Sequence, residues 1–294
     1  MKENGKNLET SSSRHINFSR LDQPELIQHI KNVLDRICGP RVGFIVFIIS
    51  SPQNLKERET HRRAVSYTPN TFKLKILEME GVKNYCHLYS VGYSNNATVN
   101  ELVNLESIQY GDVLRIPVLE SYYNLPKKVI ITLSLLNRFK ERFDYVLKTD
   151  DDLIVLTKLL IINVNQRFKD YDLIGYIKHG AMAIRDQQSK FYVSIDEHIN
   201  DFYLSYPQGG GYVIKSEVIE KIVNQFNISP YIKYEDVMMG QMMIDLRLRV
   251  KHFERLQLCD HDPLRPCTGH FIIGVSIDTP HREDVLRGYQ LLHS

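Results

Sequence analysis

The sequence predicts an α/β protein folded as one main domain around a central, mostly parallel mixed sheet flanked by helices, and three observations carry that reading. The run from Gly43 to Ser50 is continuously apolar and bounded by Pro40 and Pro52, the pattern of a strand covered on both faces. Later apolar runs alternate with stretches of helical periodicity, which is the order that builds a largely parallel sheet. The chain has 294 residues, 43% hydrophobic and 24% charged, close to globular averages and long enough to bury most of its apolar surface.

Taken in order, residues 1–20 read as a flexible polar tail and residues 21–294 as the folded domain. Asp22, Pro24 and Glu25 precede Leu26, Ile27, Ile30, Val33, Leu34 and Ile37, an apolar stripe at helical spacing that stops at Gly39-Pro40. After the first strand comes a charged segment, KERETHRRAV. Tyr85 to Val91 and Tyr110 to Val118 are further strand candidates, with a helical stretch through Leu102, Leu105 and Glu106 between them. Pro126 suits a first helical turn, and Leu125, Val129, Leu133, Leu136 and Lys140 share a face before Phe143 to Leu147 resume the strand pattern. The second half departs from this rhythm, with a strand into Ile214 and helices near 216–226 and 235–248. No internal repeat or low-complexity tract interrupts it.

Composition narrows the partners. With 37 Lys+Arg against 35 Asp+Glu the formal net charge is +2, so no global field steers the chain to nucleic acid or an anionic membrane. The N-terminal residues lack the apolar core of a signal peptide, and no apolar run approaches the roughly 20 residues that span a bilayer. Cys38, Cys86, Cys259 and Cys267 are too widely spaced for a zinc ribbon, which leaves disulfides or buried thiols with the pairing open. Asn17-Phe18-Ser19, Asn96-Ala97-Thr98 and Asn227-Ile228-Ser229 are glycosylation triplets that matter only in a secretory lumen.

The chemistry is concentrated in Lys148-Thr149-Asp150-Asp151-Asp152, where three adjacent carboxylates follow an apolar run. That is where a central strand ends, and ligands of such sheets bind at the carboxyl ends of strands. Clustered carboxylates repel and raise one another's pKa unless something positive sits among them. A hard divalent cation, Mn²⁺ or Mg²⁺, is one remedy, and it completes its shell with phosphate oxygens. The other reading is a solvated acidic turn that caps the next helix.

The triplet resembles the KTDDD motif of the β-1,3-galactosyltransferase-like glycosyltransferases, and further similarities occur in that family's order. These are Arg58-Glu-Thr-His-Arg-Arg63; Glu106 with Tyr110-Gly-Asp-Val-Leu114; Glu120-Ser-Tyr-Tyr-Asn-Leu-Pro-Lys-Lys128; Arg185-Asp186; Tyr206-Pro207; Gly210-Gly-Tyr212; and Glu235-Asp-Val-Met-Met-Gly240. Together they run over residues 43 to 245. The resemblance implies a GT-A type nucleotide-sugar transferase, with a nucleotide-sugar half over about 40–155 and an acceptor half over about 156–294. It implies an inverting, metal-dependent hexosyltransferase that moves galactose or N-acetylhexosamine from a UDP-sugar to a glycan or glycoconjugate acceptor in β-1,3 linkage. It also implies the Golgi lumen, behind an anchor that this chain lacks.

Residue by residue, the resemblance makes Asp152 the Mn²⁺ ligand, Asp150 and Asp151 contacts to the nucleotide sugar, Asp236 the base that deprotonates the acceptor, and Glu235 its orienting neighbour. Arg58 and Arg62 lie four apart on one helical face, suited either to the donor's uracil, ribose and phosphates or to a solvated basic helix. Lys148 is a candidate to neutralise the triplet. Gly210 and Gly211 permit close backbone approach to a sugar, and Tyr212 either stacks on a pyranose or belongs to the core. A metal-binding His is expected near the C-terminus, but Ser276 stands at its position; His270 is the substitute, ahead of His261 and His281.

Three departures keep a second reading alive, that of a non-catalytic glycan- or nucleotide-binding relative. Ala64-Val65 replaces the family's Thr-Trp in a chain with no Trp, the metal-binding His is absent, and the spacing from Tyr206-Pro207 to the glycines is contracted. A Mg²⁺-dependent phosphoryl-transfer enzyme ranks third, since no phosphate-binding glycine-lysine loop accompanies the acidic cluster.

Overall fold

The computed structural model describes residues 14–66, 85–260 and 270–274. The chain opens with α1 (Pro24–Ile37), β1 (Phe44–Ser50) and α2 (Leu55–Ser66), then β2 (Tyr85–Tyr93), α3 (Ala97–Tyr110) and β3 (Val113–Leu119). α4 (Leu125–Asn137), β4 (Tyr145–Asp150), β5 (Leu153–Val155), α5 (Thr157–Asn163) and β6 (Leu173–Lys178) follow. The last part holds β7 (Tyr206–Lys215), α6 (Ser216–Phe226), α7 (Glu235–Asp245), β8 (Val250–His252), β9 (Leu258–Asp260) and β10 (Ile272–Gly274).

Seven strands form the main sheet in the order β3-β2-β1-β4-β7-β6-β8, and β5-β10-β9 form a small second sheet. β3, β2, β1 and β4 are mutually parallel, β7 runs antiparallel to β4 and β6, and β8 is parallel to β6, so the sheet is mixed and mostly parallel. β1 shows why its sequence reads as an unbroken apolar run. Ile45, Phe47 and Ile49 face one core with α1, α4, α6 and α7, while Phe44, Val46 and Ile48 face the other with Val103 of α3 and Leu160 of α5. A strand buried on both faces has no solvent side on which to alternate.

Two boundaries differ from the sequence reading. Tyr110 ends α3 rather than opening a strand, because Gly111 adopts a left-handed φ of 72° and its N–H caps the helix through the Ser107 carbonyl. The first helix is capped at Gln23 without a side-chain bond, with Pro24 in the first turn, so Asp22 is not its cap. Cys38 and Cys86 form a disulfide that ties the end of α1 to β2, and Cys259 is also disulfide-bonded. No helix among the described residues is long and apolar enough to cross a membrane.

Candidate active site

The site is built where β4 ends. β7 runs antiparallel to β4, with Thr149 opposite Gly211, so the Gly209–Gly211 backbone lies beside the acidic triplet. Lys148 sits at its centre. Buried to 1% exposure, its ammonium reaches Asp150 at 2.7 Å, the Gly209 carbonyl at 2.6 Å and Glu235 at 3.4 Å. Thr149 adds a hydroxyl bond to the Gly210 carbonyl at 3.0 Å. Glu235 and Asp236 open α7 at its N-terminal turn, so two motifs 85 positions apart, Asp150 and Glu235, meet at one ammonium.

The electrostatics are those of an acidic pocket with too few cations. Burial pushes the Asp150 carboxyl up to about 6, and Asp152 and Glu235 add to the rise against the pull of Lys148. Burial likewise raises Glu235, whose remaining oxygen accepts from the Tyr212 hydroxyl. Burial would lower the Lys148 ammonium, but Asp150 and Glu235 outweigh it and hold the group above the ordinary lysine range. Asp236 is raised, chiefly by burial, although the N–H groups of Val237 and Gly209 and the charges of Lys148 and Lys178 oppose the shift. A carboxylate fixed by backbone donors and pushed towards neutral pH is suited to accepting a proton from a hydroxyl.

The three triplet carboxylates have different surroundings. Asp150 points to Lys148. Asp151 is buried and turned to β1, accepting from the Asn54 side-chain amide at 3.0 Å and from Ser50, so it anchors the loop. Asp152 is exposed in the turn before β5. One outward carboxylate beside a raised one fits a hard cation whose shell is completed by phosphate oxygens and water rather than by an all-protein cage. No cluster of three metal-binding side chains occurs among the described residues.

Several expected residues are engaged elsewhere. Arg58 is completely buried: its guanidinium donates to Glu106 at 2.6–3.1 Å, to the Ser50 hydroxyl at 2.7 Å and to the Ser51 carbonyl at 2.6 Å. Arg62 pairs with Asp112 at 2.8 Å and Glu106 at 2.7 Å, its guanidinium stacked over Tyr110 at 4.0 Å. Both arginines therefore fix α2 to α3, and neither aims its charge into the cleft. Gly210 and Gly211 pack against the small sheet. A Cβ at Gly211 would come within 2.6 Å of Ile272 Cδ1, and one at Gly210 within 3.3 Å of Leu153 Cδ1. Tyr212 is core, with its hydroxyl on Glu235.

His270 is not brought to the triplet. Antiparallel pairing sets Leu153, the residue after Asp152, opposite Gly274, and His270 lies beyond the other end of the β5–β10 pair. Four to five extended residues separate the two positions, roughly 15 Å at 3.3 Å per residue. Its ring instead contacts the Gln257 carbonyl at 3.2 Å. His261, Ser276 and His281 lie outside the described residues.

The structure also places Lys128, for which the sequence left donor binding and a surface position open, and Tyr122, which received no role from sequence. Lys128, buried under the end of β1, donates to the Ser50 carbonyl at 2.8 Å and Glu120 at 2.7 Å, and burial lowers its pKa. Tyr122 is half exposed; burial raises its phenol, followed by the charges of Asp236, Tyr123 and Asp150. With Tyr123, Tyr234, Phe191 and Tyr203 it forms an aromatic wall of ring contacts between 5.9 and 6.5 Å. The tyrosine pair in Glu120-Ser-Tyr-Tyr was the available signal, but nothing local says that it meets a helix more than 100 residues later.

Comparison with known proteins identifies relatives of the chain. A family model described as galactosyltransferase matches residues 74–254. The chain is 30% identical over 223 residues to beta-1,3-galactosyltransferase 5 of Homo sapiens, covering 74% of this chain and 68% of that protein. It is 27% identical over 208 residues to beta-1,3-galactosyltransferase 1 of Mus musculus, covering 69% of this chain and 60% of that protein.

Proposed function

The chain belongs to the galactosyltransferase family and is a glycosyltransferase, and from that premise we propose that it transfers galactose from UDP-galactose to a glycan hydroxyl in β-1,3 linkage, with inversion at the anomeric carbon. The observation that carries this reading is the meeting of Asp150 and Glu235 at the Lys148 ammonium, which joins the acidic triplet to the helix bearing Asp236. Galactose is preferred over N-acetylhexosamine because the similar proteins are named for galactosyl transfer.

Glycosyl transfer needs charge stabilisation on the departing diphosphate and a destination for the acceptor's proton. Asp236 takes that proton on its carboxylate, which the Gly209 and Val237 N–H groups hold in orientation. Glu235, Tyr212 and Lys148 fix the first turn of α7 and so the direction of Asp236. Asp151, held by Asn54, sets the turn from which Asp152 projects. Asp152, with Asp150 near it, would hold Mn²⁺ or Mg²⁺, which when bound neutralises the leaving UDP. Tyr122 and its aromatic neighbours border the acceptor side, where rings can stack on a pyranose. The Cys38–Cys86 disulfide supports residence in an oxidising lumen, that of the Golgi by family resemblance.

The test is UDP release from a panel of UDP-sugars with β-linked glycan acceptors, with and without Mn²⁺, in the native chain and in Asp152→Ala. Metal-dependent release specific to UDP-galactose, lost in the variant, is the expected result. UDP binding without turnover for any pairing would replace this reading with the binding-only one.

A further inference from the structure

We propose that Asn96 is a glycosylation site, carrying an oligosaccharide through its side-chain amide nitrogen. The proposal rests on the luminal residence proposed above. The three Asn-x-Ser/Thr triplets are equivalent as text but not in the fold. At Asn227 both ends of the amide are in use: Oδ1 accepts from the Ile16 N–H at 2.9 Å and Nδ2 donates to the Ile16 carbonyl at 2.8 Å. Ser229 beside it is buried, its hydroxyl given to Asp245. A glycan at Asn227 would have to displace the segment around Ile16, which is itself buried. At Asn17, exposed like Ser19, the side-chain oxygen accepts from the triplet's own Ser19 hydroxyl at 2.7 Å, so the contrast that carries the proposal is with Asn227.

Asn96 is different. It is exposed at the N-cap of α3, and its Oδ1 accepts from the N–H groups of Thr98 at 3.0 Å and Val99 at 3.5 Å. Its Nδ2 makes no hydrogen bond to any described residue, and Thr98 is exposed. The division of labour within this amide is the central point. The oxygen caps the helix, while the nitrogen that would carry the sugar is turned to solvent. Attachment replaces one hydrogen on Nδ2 and leaves Oδ1 as an acceptor, so cap and glycan coexist. The bond formed runs from Nδ2 to the anomeric carbon of a polyprenyl-diphosphate oligosaccharide. The bond broken is that carbon's link to the diphosphate, which departs with the electron pair as the amide loses a proton.

To test this, the full chain is secreted from eukaryotic cells behind a cleavable leader, deglycosylated enzymatically in ¹⁸O-water and mapped by peptide mass spectrometry, with thiol labelling to follow Cys38–Cys86. The expected result is the ¹⁸O mark at Asn96 and none at Asn227. Asn96→Asp, which keeps a cap acceptor, and Thr98→Ala should each lose one glycan's step in gel mobility while the disulfide stays closed. An unmarked Asn96 in secreted, disulfide-closed protein overturns the proposal, and so does equal occupancy of Asn227. The luminal reading stands or falls separately, by protease protection of the endogenous protein in sealed microsomes.

Discussion

Around Arg58 and Arg62 two guanidinium groups meet two carboxylates, Glu106 and Asp112, whereas around Lys148 a single ammonium faces Asp150 and Glu235 with Asp236 close behind. The first lies beside the end of β1, where Arg58 reaches Ser50, and the second at the end of β4. The first is balanced, and its groups are turned to one another, so it joins α2 to α3 and asks for no further ion. The second has one cation for more than one carboxylate; burial raises the carboxyl pKa values of Asp150, Glu235 and Asp236, and neighbouring carboxylates add to the rise at Asp150 and Glu235. Excess charge of one sign under burial is costly unless a ligand of the other sign, or a proton, is part of the working state. The contrast separates charge that holds a fold from charge that does chemistry.

Lys148→Met should have the largest effect, since it leaves the buried Glu235 and the partly buried Asp150 without their shared cation. Galactosyl transfer should be abolished, and denaturant unfolding should report a loss of about 3–5 kcal/mol, the usual consequence of leaving buried charge unpaired. Arg58→Ala strands Glu106 in the balanced cluster and should cost a similar 3–5 kcal/mol. Any UDP-galactose binding of the folded fraction, read by calorimetry, should remain. If Arg58→Ala instead weakened nucleotide binding with stability unchanged, the division between the clusters would collapse.

Gly211→Ala forces a methyl group to within 2.6 Å of Ile272 Cδ1. Overpacking of this kind costs about 1–3 kcal/mol, and thermal unfolding should fall accordingly. The smallest effect is expected at His87, whose imidazole burial lowers to about 4. Between pH 6.5 and 4 the unfolded chain binds a proton there that the folded chain does not. Stability contributed by the neutral ring is therefore present above pH 6.5 and lost as pH falls through that window. His87→Gln should flatten the decline in melting temperature between pH 6.5 and 4.

Much of the fold was legible because it follows from local pattern. The apolar run of β1 and the helix at 216–226 formed as read, since burial on two faces and amphipathic spacing are both properties of a short window. The site was legible in part. The acidic triplet and the Glu235-Asp236 pair were visible as charge in unusual positions, and the fold brings them to one place. What failed depended on partners far along the chain. The spacing of Arg58 and Arg62 fixes a shared face but not what that face meets, and here it meets Glu106 and Asp112. His270 was chosen by proximity in sequence, while the register of β5 on β10 carries it to the end of that pair away from the triplet. Tyr122 went unassigned because its ring partner Tyr234 comes from a segment more than 100 residues away.

The most direct test is the rate of galactose transfer by Asp236→Asn, measured alongside its affinity for UDP-galactose in Mn²⁺. Asparagine keeps the shape and, through Oδ1, the bond from the Val237 N–H, but it has one acceptor oxygen fewer and cannot take a proton. A loss of about 10²–10⁴-fold in transfer, with donor affinity unchanged, is predicted. Transfer within a few-fold of the native rate would contradict the assignment of the acidic cleft as the site of catalysis.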